Sequence, residues 1–271
     1  MKIKSMTFGL VATFFFLVST TISGYAIHLS SSEKIPAKII TSQPTNSYLI
    51  KTKIKSYFAL DLDGQLIQEV RNGKRYFKKD EKEYTFDRTL FINKSALIVM
   101  DPWLDSGDED LNAYYRPLLS NKVIPLVSKA ILLGFPVYVL TNDPKKNYAD
   151  YGSEIPRELV SLANQEKIKV LYHQDFDEKS FADFLHARSI DTLIYSGFAS
   201  NMCIIGRSMG MIPMKSKGFR LFFIPEASAA VEFSNTWKTS EIHQATTLLI
   251  SQWVADLIEF KHFMQIVPTK H

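Results

Sequence analysis

The sequence predicts an α/β protein: a three-layer sandwich with a mostly parallel sheet between helices, preceded by a small antiparallel β appendage. Three observations carry this. Short apolar runs recur at residues 96–100, 136–140, 169–172, 192–195 and 218–224; such runs mark strands buried on both faces. Stretches of helical length separate them, and strands that alternate with helices build parallel sheets. Upstream, residues 48–54 alternate with period two, and the dipeptides Asp63-Gly64 and Asn72-Gly73 follow. Alternation punctuated by such pairs predicts antiparallel hairpins with two-residue turns.

Composition sets the frame for each element. The chain has 271 residues, 46% hydrophobic and 22% charged, enough for one large domain and an appendage. A net charge of +4, with lysines and carboxylates interspersed, leaves no basic stripe for nucleic acid. A single cysteine excludes an internal disulfide framework. Residues 1–26 read as a signal peptide. Lys2 and Lys4 form its basic start, 6–23 its uncharged apolar run, and Gly24-Tyr25-Ala26 its small-x-small cleavage site. The run is also just long enough to span a bilayer, so an uncleaved anchor is the competing reading. Both place the folded part outside the cytoplasm, periplasmic or secreted. Residues 27–47, rich in Ser, Thr, Pro and Lys, read as a linker, 48–94 as the β-hairpin appendage and 95–271 as the main domain.

Within that domain the first strand, 96–100, ends in Asp101. A helix is predicted over 121–133 with Gly134 as its stop. The second strand, 136–140, ends at Thr141-Asn142-Asp143. A helix over 156–164 leads to the third strand, 169–172, which ends at His173, and a further helix spans 179–187. The fourth strand, 192–195, runs into a tight turn at Gly197 and a helix whose first turn holds Cys203. The fifth strand, 218–224, ends at Pro225-Glu226, and one long helix is predicted over 241–259. In such sheets the ligand crevice lies outside the carboxyl ends of the strands. Asp101, Asn142, His173, Gly197 and Glu226 stand there, so the topology gathers Asp101, His173 and Cys203 at one crevice. A cysteine at a helix start gains acidity from the dipole and from free N–H groups, which can also hold an oxyanion. The plain alternative is a buried small hydrophobe.

These residues resemble the isochorismatase-like cysteine hydrolases. Residues 96–101, ALIVMD, resemble the family's first strand with its catalytic aspartate. Residues 197–204, GFASNMCI, resemble its Gly-x-x-Thr/Ser-x-x-Cys-Val motif, with Ser200 at the Thr position. Residues 190–194 and 218–229 resemble the flanking strands, and the likeness covers about residues 95–260. It implies Cys203 as nucleophile, Asp101 as its base, a cis bond between Phe198 and Ala199, and an oxyanion hole from the Ala199 and Cys203 N–H groups. The family's triad also has a lysine just beyond the third strand. Here His173 holds that place, without a permanent charge; it orients a substrate, serves as acid or base, or marks lost activity. Metal-binding members carry Asp and His ligands after the second strand. Residues 141–148, TNDPKKNY, contain no histidine, so no metal and no cofactor are expected and a nicotinamidase is disfavoured.

Trp103 and Asn142 are the candidate substrate contacts, with core packing the alternative for Trp103. Asp143 is expected as a turn residue before Pro144, and residues 106–110, SGDED, as a solvated acidic loop. The resemblance thus implies a hydrolase of a small amide, ester or related compound, working through a covalent Cys203 intermediate, and the N-terminal segment adds export. Its partners would be a small-molecule substrate and further copies of itself, since related proteins commonly oligomerise. The alternative is a catalytically impaired member serving binding or assembly through the β appendage. A thiol sensor is disfavoured because no second cysteine can resolve it.

Overall fold

The computed structural model describes residues 46–146 and 149–268. The signal-peptide reading and nearly all of the linker lie outside the described residues. Everything below belongs to one compact unit, Gln43–His271.

The antiparallel strands β1 (Ser47–Phe58) and β4 (Lys79–Phe91) pair along almost their whole length. Between them, β2 (Gln68–Arg71) and β3 (Lys74–Phe77) form a separate two-stranded ribbon. Asn72-Gly73 makes the expected two-residue turn, with φ of 50° and 74°; positive φ at both central residues is the type I′ requirement. At Asp63-Gly64 the loop is longer. Asp61 N–H donates to Gln65 C=O, leaving Leu62, Asp63 and Gly64 between them.

The parallel strands are β5 (Ser95–Met100), β6 (Val137–Thr141), β7 (Lys169–Tyr172), β8 (Thr192–Phe198), β9 (Arg220–Ala229) and β10 (Asp256–Leu257). The main sheet runs β4-β1-β10-β9-β8-β5-β6-β7. The appendage is therefore more than packed on the body: β1 pairs antiparallel with β10 and continues the sheet. Every residue of β5, β6 and β8 is buried. Alternate side chains enter two separate cores. Leu97, Val99, Ile194, Phe198 and Phe222 face one, and Ile98, Met100, Leu193, Tyr195 and Phe223 the other. Covering the first face are α1 (Glu109–Leu118), a π-helical turn at Leu119–Val123, α2 (Ile124–Leu132), α3 (Arg157–Asn164) and α7 (Phe260–Gln265). Residues of α4 (Glu178–His186), α5 (Met211–Ser216) and the π-helical turn Ile250–Val254 after α6 (Glu241–Leu249) fill the second. This is the three-layer α/β sandwich that the sequence predicts.

Four elements differ from expectation. The predicted helix over 121–133 begins earlier, at Glu109. Asp108 caps α1 by accepting from Leu111 N–H at 2.9 Å, and Glu109 and Asp110 favour its first turn by charge. Glu109 and Asp110 are exposed, but helical rather than loop. Gly197 lies inside β8, not in a turn after it. The fifth strand does not stop at Pro225-Glu226. It bulges between the pairs Tyr195↔Phe223 and Gly197↔Ser228 and runs on to Ala229, and a bulge tolerates a residue without N–H. Glu226 is exposed and accepts from Phe260 N–H at 3.2 Å. Finally, the long helix over 241–259 breaks after Val254. Asp256-Leu257 enters the sheet between β9 and β1 as β10, because its ladder and the buried Leu257 and Ile258 outweigh helical pattern.

Candidate active site

β5 is the first parallel strand, with β8 on one side and β6 on the other. The chain order switches there, which is where an open α/β sheet places its crevice. Asp101 follows β5 directly and is 1% exposed. Its N–H donates to Leu140 C=O, and its φ is +45°, a left-handed conformation that a non-glycine residue adopts at some cost. Cys203 reaches the same place from β8. It lies in a π-helical turn, Ser200–Ile204, in which Ile204 N–H donates to Ala199 C=O. The Phe198–Ala199 peptide is cis, and Ala199 precedes the turn.

The Asp101 carboxylate accepts two hydrogen bonds. His173 Nε2 lies 2.6 Å from Oδ1, and Arg207 Nε 3.1 Å from Oδ2. His173 starts a 3-10 turn directly after β7, and its side chain crosses the end of β6 to reach Asp101. Arg207 was not foreseen. It stands four residues after Cys203, and its N–H donates to Cys203 C=O, so one helical turn sets guanidinium and thiol on the same side. A permanent cation thus meets Asp101 from the cysteine's own segment. The Cys203-x-x-x-Arg207 spacing was the available signal.

The thiol senses the charges of both Asp101 and Arg207. Its acidity is opposite to the expectation of a lowered pKa. Burial pushes the Cys203 thiol above its ordinary value, the Asp101 charge pushes it further, and Arg207 only partly opposes them. A short, partly covered turn facing a carboxylate does not act as an exposed helix N-terminus. Burial opposes the charge on Arg207, but Asp101 and Cys203 outweigh it and the guanidinium is held more firmly protonated than usual. The resting pair is a protonated thiol beside a carboxylate. That arrangement suits attack in which the proton moves as the sulfur bonds, rather than a preformed thiolate.

The other residues singled out in the sequence have the following partners. Trp103 Nε1 donates to Thr141 Oγ1 at 2.9 Å, and the Arg207 guanidinium lies 6.0 Å from the Trp103 ring. Trp103 therefore backs the arginine while bridging to β6. Asn142 Nδ2 donates to Gly152 C=O at 2.7 Å, tying the loop after β6 to residue 152. Asp143 makes the expected turn, its Oδ1 accepting from Lys145 N–H. Ser200 is fully buried and its hydroxyl is engaged. His243 Nε2 sits 3.0 Å from Pro225 C=O, which can only accept, so Nδ1 of the neutral ring accepts from the Ser200 hydroxyl at 2.9 Å. Burial keeps the His243 ring neutral by lowering its pKa. His243 was missed because it sits unmarked within a helical pattern. Phe198 stacks on Tyr115 with ring centroids 4.1 Å apart, which packs α1 against the strand carrying the cysteine turn. Tyr115 was likewise unforeseen.

No family model matches the sequence, and no curated protein matches it. Solved structures do. An isochorismatase from Pseudomonas putida KT2440 shares 17% identity over 63% of this chain and 90% of its own, with a TM-score of 0.48. A cysteine hydrolase from Pseudomonas syringae pv. phaseolicola 1448A shares 15% over 65% and 93%, with a TM-score of 0.49. The chain is similar to isochorismatase-like cysteine hydrolases. The YcaC gene product of Escherichia coli, described as an octameric hydrolase of unknown specificity, shares 16% over 64% and 78%, with a TM-score of 0.47. At these identities the likeness is one of fold, and the site must be argued from its own residues.

Proposed function

We propose that this protein is a cysteine hydrolase acting on a small amide, ester or related compound, with Cys203 as nucleophile and Asp101 as its base. The observation that supports this most is the half-buried Cys203 thiol sensing the charge of the buried Asp101, with Arg207 bonded to the same carboxylate. Cys203 Sγ attacks the carbonyl carbon while its proton passes to Asp101; the tetrahedral adduct then breaks its C–N or C–O bond, and the amine or alcohol leaves with that proton. Arg207 steadies the negative charge that the thiol proton's departure moves between the two groups. The Ala199 and Cys203 N–H groups are the proposed oxyanion donors, and water then cleaves the thioester. Arg207, a permanent cation on the Asp101 carboxylate, supports this reading over an impaired scaffold, which rested on the missing lysine. Export through residues 1–26, to the periplasm or medium or as an anchored form, belongs to the same proposal, as does assembly into a homo-oligomer. The test is turnover of a panel of small amides and esters by wild type and Cys203→Ala. The variant should lose at least about a thousandfold; turnover within twofold of wild type would contradict the mechanism.

A further inference from the structure

β8 and β9 pair in register up to Phe198↔Ala229. Beyond that rung β8 passes into the cysteine turn, and β9 into a loop, residues 230–240, that leads to α6. Side chains keep the two joined. Val231 N–H donates to Asn201 Oδ1 at 3.0 Å, and Asn201 Nδ2 donates to Val231 C=O at 3.2 Å. A carboxamide that accepts from and donates to one residue's backbone stands in for the peptide of a further rung. The adjacent Ser200 hydroxyl is held by His243, in the first turn of α6.

Glu232 closes the loop. It is 5% exposed. Its Oε1 accepts from His243 N–H at 2.8 Å, and its Oε2 from Ile242 N–H at 3.0 Å and Thr236 Oγ1 at 2.7 Å. The start of α6 thus carries a buried negative charge, which the helix dipole favours. Ser240, directly before α6, is the residue type that usually caps a helix. It stands in left-handed backbone, φ +55°, and caps nothing; its hydroxyl lies 2.8 Å from Tyr114 Oη on α1. Burying a carboxylate costs desolvation that a serine cap does not. What the carboxylate adds is a closed loop with His243 fixed at its end.

We propose that Asn201, His243 and Glu232 are positioning residues for Cys203: the strap after β9 grips two consecutive residues of the cysteine turn and keeps the thiol against Asp101. This rests on the pairing of Cys203 with Asp101 in the hydrolase reading above. Ser200 and Asn201 open the five-residue turn that holds Cys203, so their grip sets where the thiol stands.

Cys203 is the only cysteine, so its alkylation by iodoacetamide can be followed by intact mass without a known substrate. The titratable groups that the thiol senses are Asp101, Arg207 and Tyr115. In His243→Leu and Asn201→Leu the freed turn should carry the thiol away from the Asp101 charge and its cover. The alkylation midpoint should then fall by about half a pH unit or more, and the rate at neutral pH should rise about threefold or more. Cys203-dependent turnover should fall about tenfold or more. Opposite movement of the two rates distinguishes a displaced thiol from lost protein. Asp256→Ala, in β10, is the control: it should weaken the fold in urea and leave the midpoint in place. Where His243→Leu folds poorly, Glu232→Gln gives the same reading, because it turns one acceptor of the strap into a donor. A midpoint that falls no further in the strap variants than in Asp256→Ala overturns the proposal, whatever the loss of stability. The two readings fail separately. Midpoints that fall as expected, with no Cys203-dependent turnover in wild type, remove the hydrolase and keep the strap. Cys203-dependent turnover with unmoved midpoints does the reverse.

Discussion

The centre of the sheet and its antiparallel edge are held by different forces. In β5 and β8 every side chain is buried, and the two strands pair in unbroken parallel register from Ser95↔Thr192 to Met100↔Gly197. In β4 nearly every residue is at least partly exposed. There the strands are tied by pairs such as Lys51–Asp87 at 3.0 Å and Lys53–Glu83 at 2.9 Å, and by Arg88–Asp256 at 2.9 Å. Apolar burial is strong and non-directional, whereas exposed ion pairs contribute little. The chemistry hangs on the rigid part: Asp101 and the Cys203 turn follow directly from β5 and β8. The edge closes the sheet and covers β10 without touching the site.

The contrast can be broken at either end. The largest effect should come from Gly197→Ala. Gly197 has φ +104°, and a Cβ there would lie 2.1 Å from Met100 O in the neighbouring strand. Backbone cannot yield as a flexible side chain does, so the variant should lose about 4 kcal/mol or fail to fold, read by urea denaturation. Asp256→Ala comes next. Asp256 Oδ2 accepts from Thr52 Oγ1 at 3.1 Å and Arg88 Nε at 2.9 Å, joining β10 to β1 and β4. Removing it leaves a mostly covered guanidinium without its carboxylate, though Nη2 still donates to Asp63 C=O, and should cost about 1–3 kcal/mol while leaving Cys203 alkylation unchanged. The smallest effect should be Lys51→Ala, whose side chain is 62% exposed; a change beyond about 0.5 kcal/mol in the same denaturation would mean the edge is more than a solvated rim.

The same division governs what could be read in the sequence. The central strands were legible because a strand buried on both faces leaves an apolar run that needs no tertiary information. Strand β7 and its exit at His173 stand as expected, and α3 and α4 begin within a residue or so of their predicted starts. β10 was not legible. Two residues carry no period, and Asp256-Leu257 becomes a strand only because β9 and β1 flank it. The residues of the site divide similarly. Asp101 and Cys203 stand at strand ends that the alternation located. Arg207 and Tyr115 were hidden because each is defined by what it meets across space, Asp101 in one case and Phe198 in the other. The thiol's acidity was misread for a related reason. A helix start can be seen in one segment, but the opposing carboxylate comes from another.

The central claim is that Cys203 and Asp101 act as one proton-sharing pair, and a pH profile of Cys203 alkylation by iodoacetamide tests it directly. The wild-type midpoint should lie above the ordinary thiol value of about 8.5, because burial and the Asp101 charge both favour the protonated sulfur. Asp101→Asn removes that charge and leaves Arg207 facing the sulfur, so the midpoint should fall and alkylation near neutral pH should quicken. Turnover by the same variant should drop about 10²–10⁴-fold, since the base is gone. A midpoint that stays put or rises in Asp101→Asn would contradict the pairing.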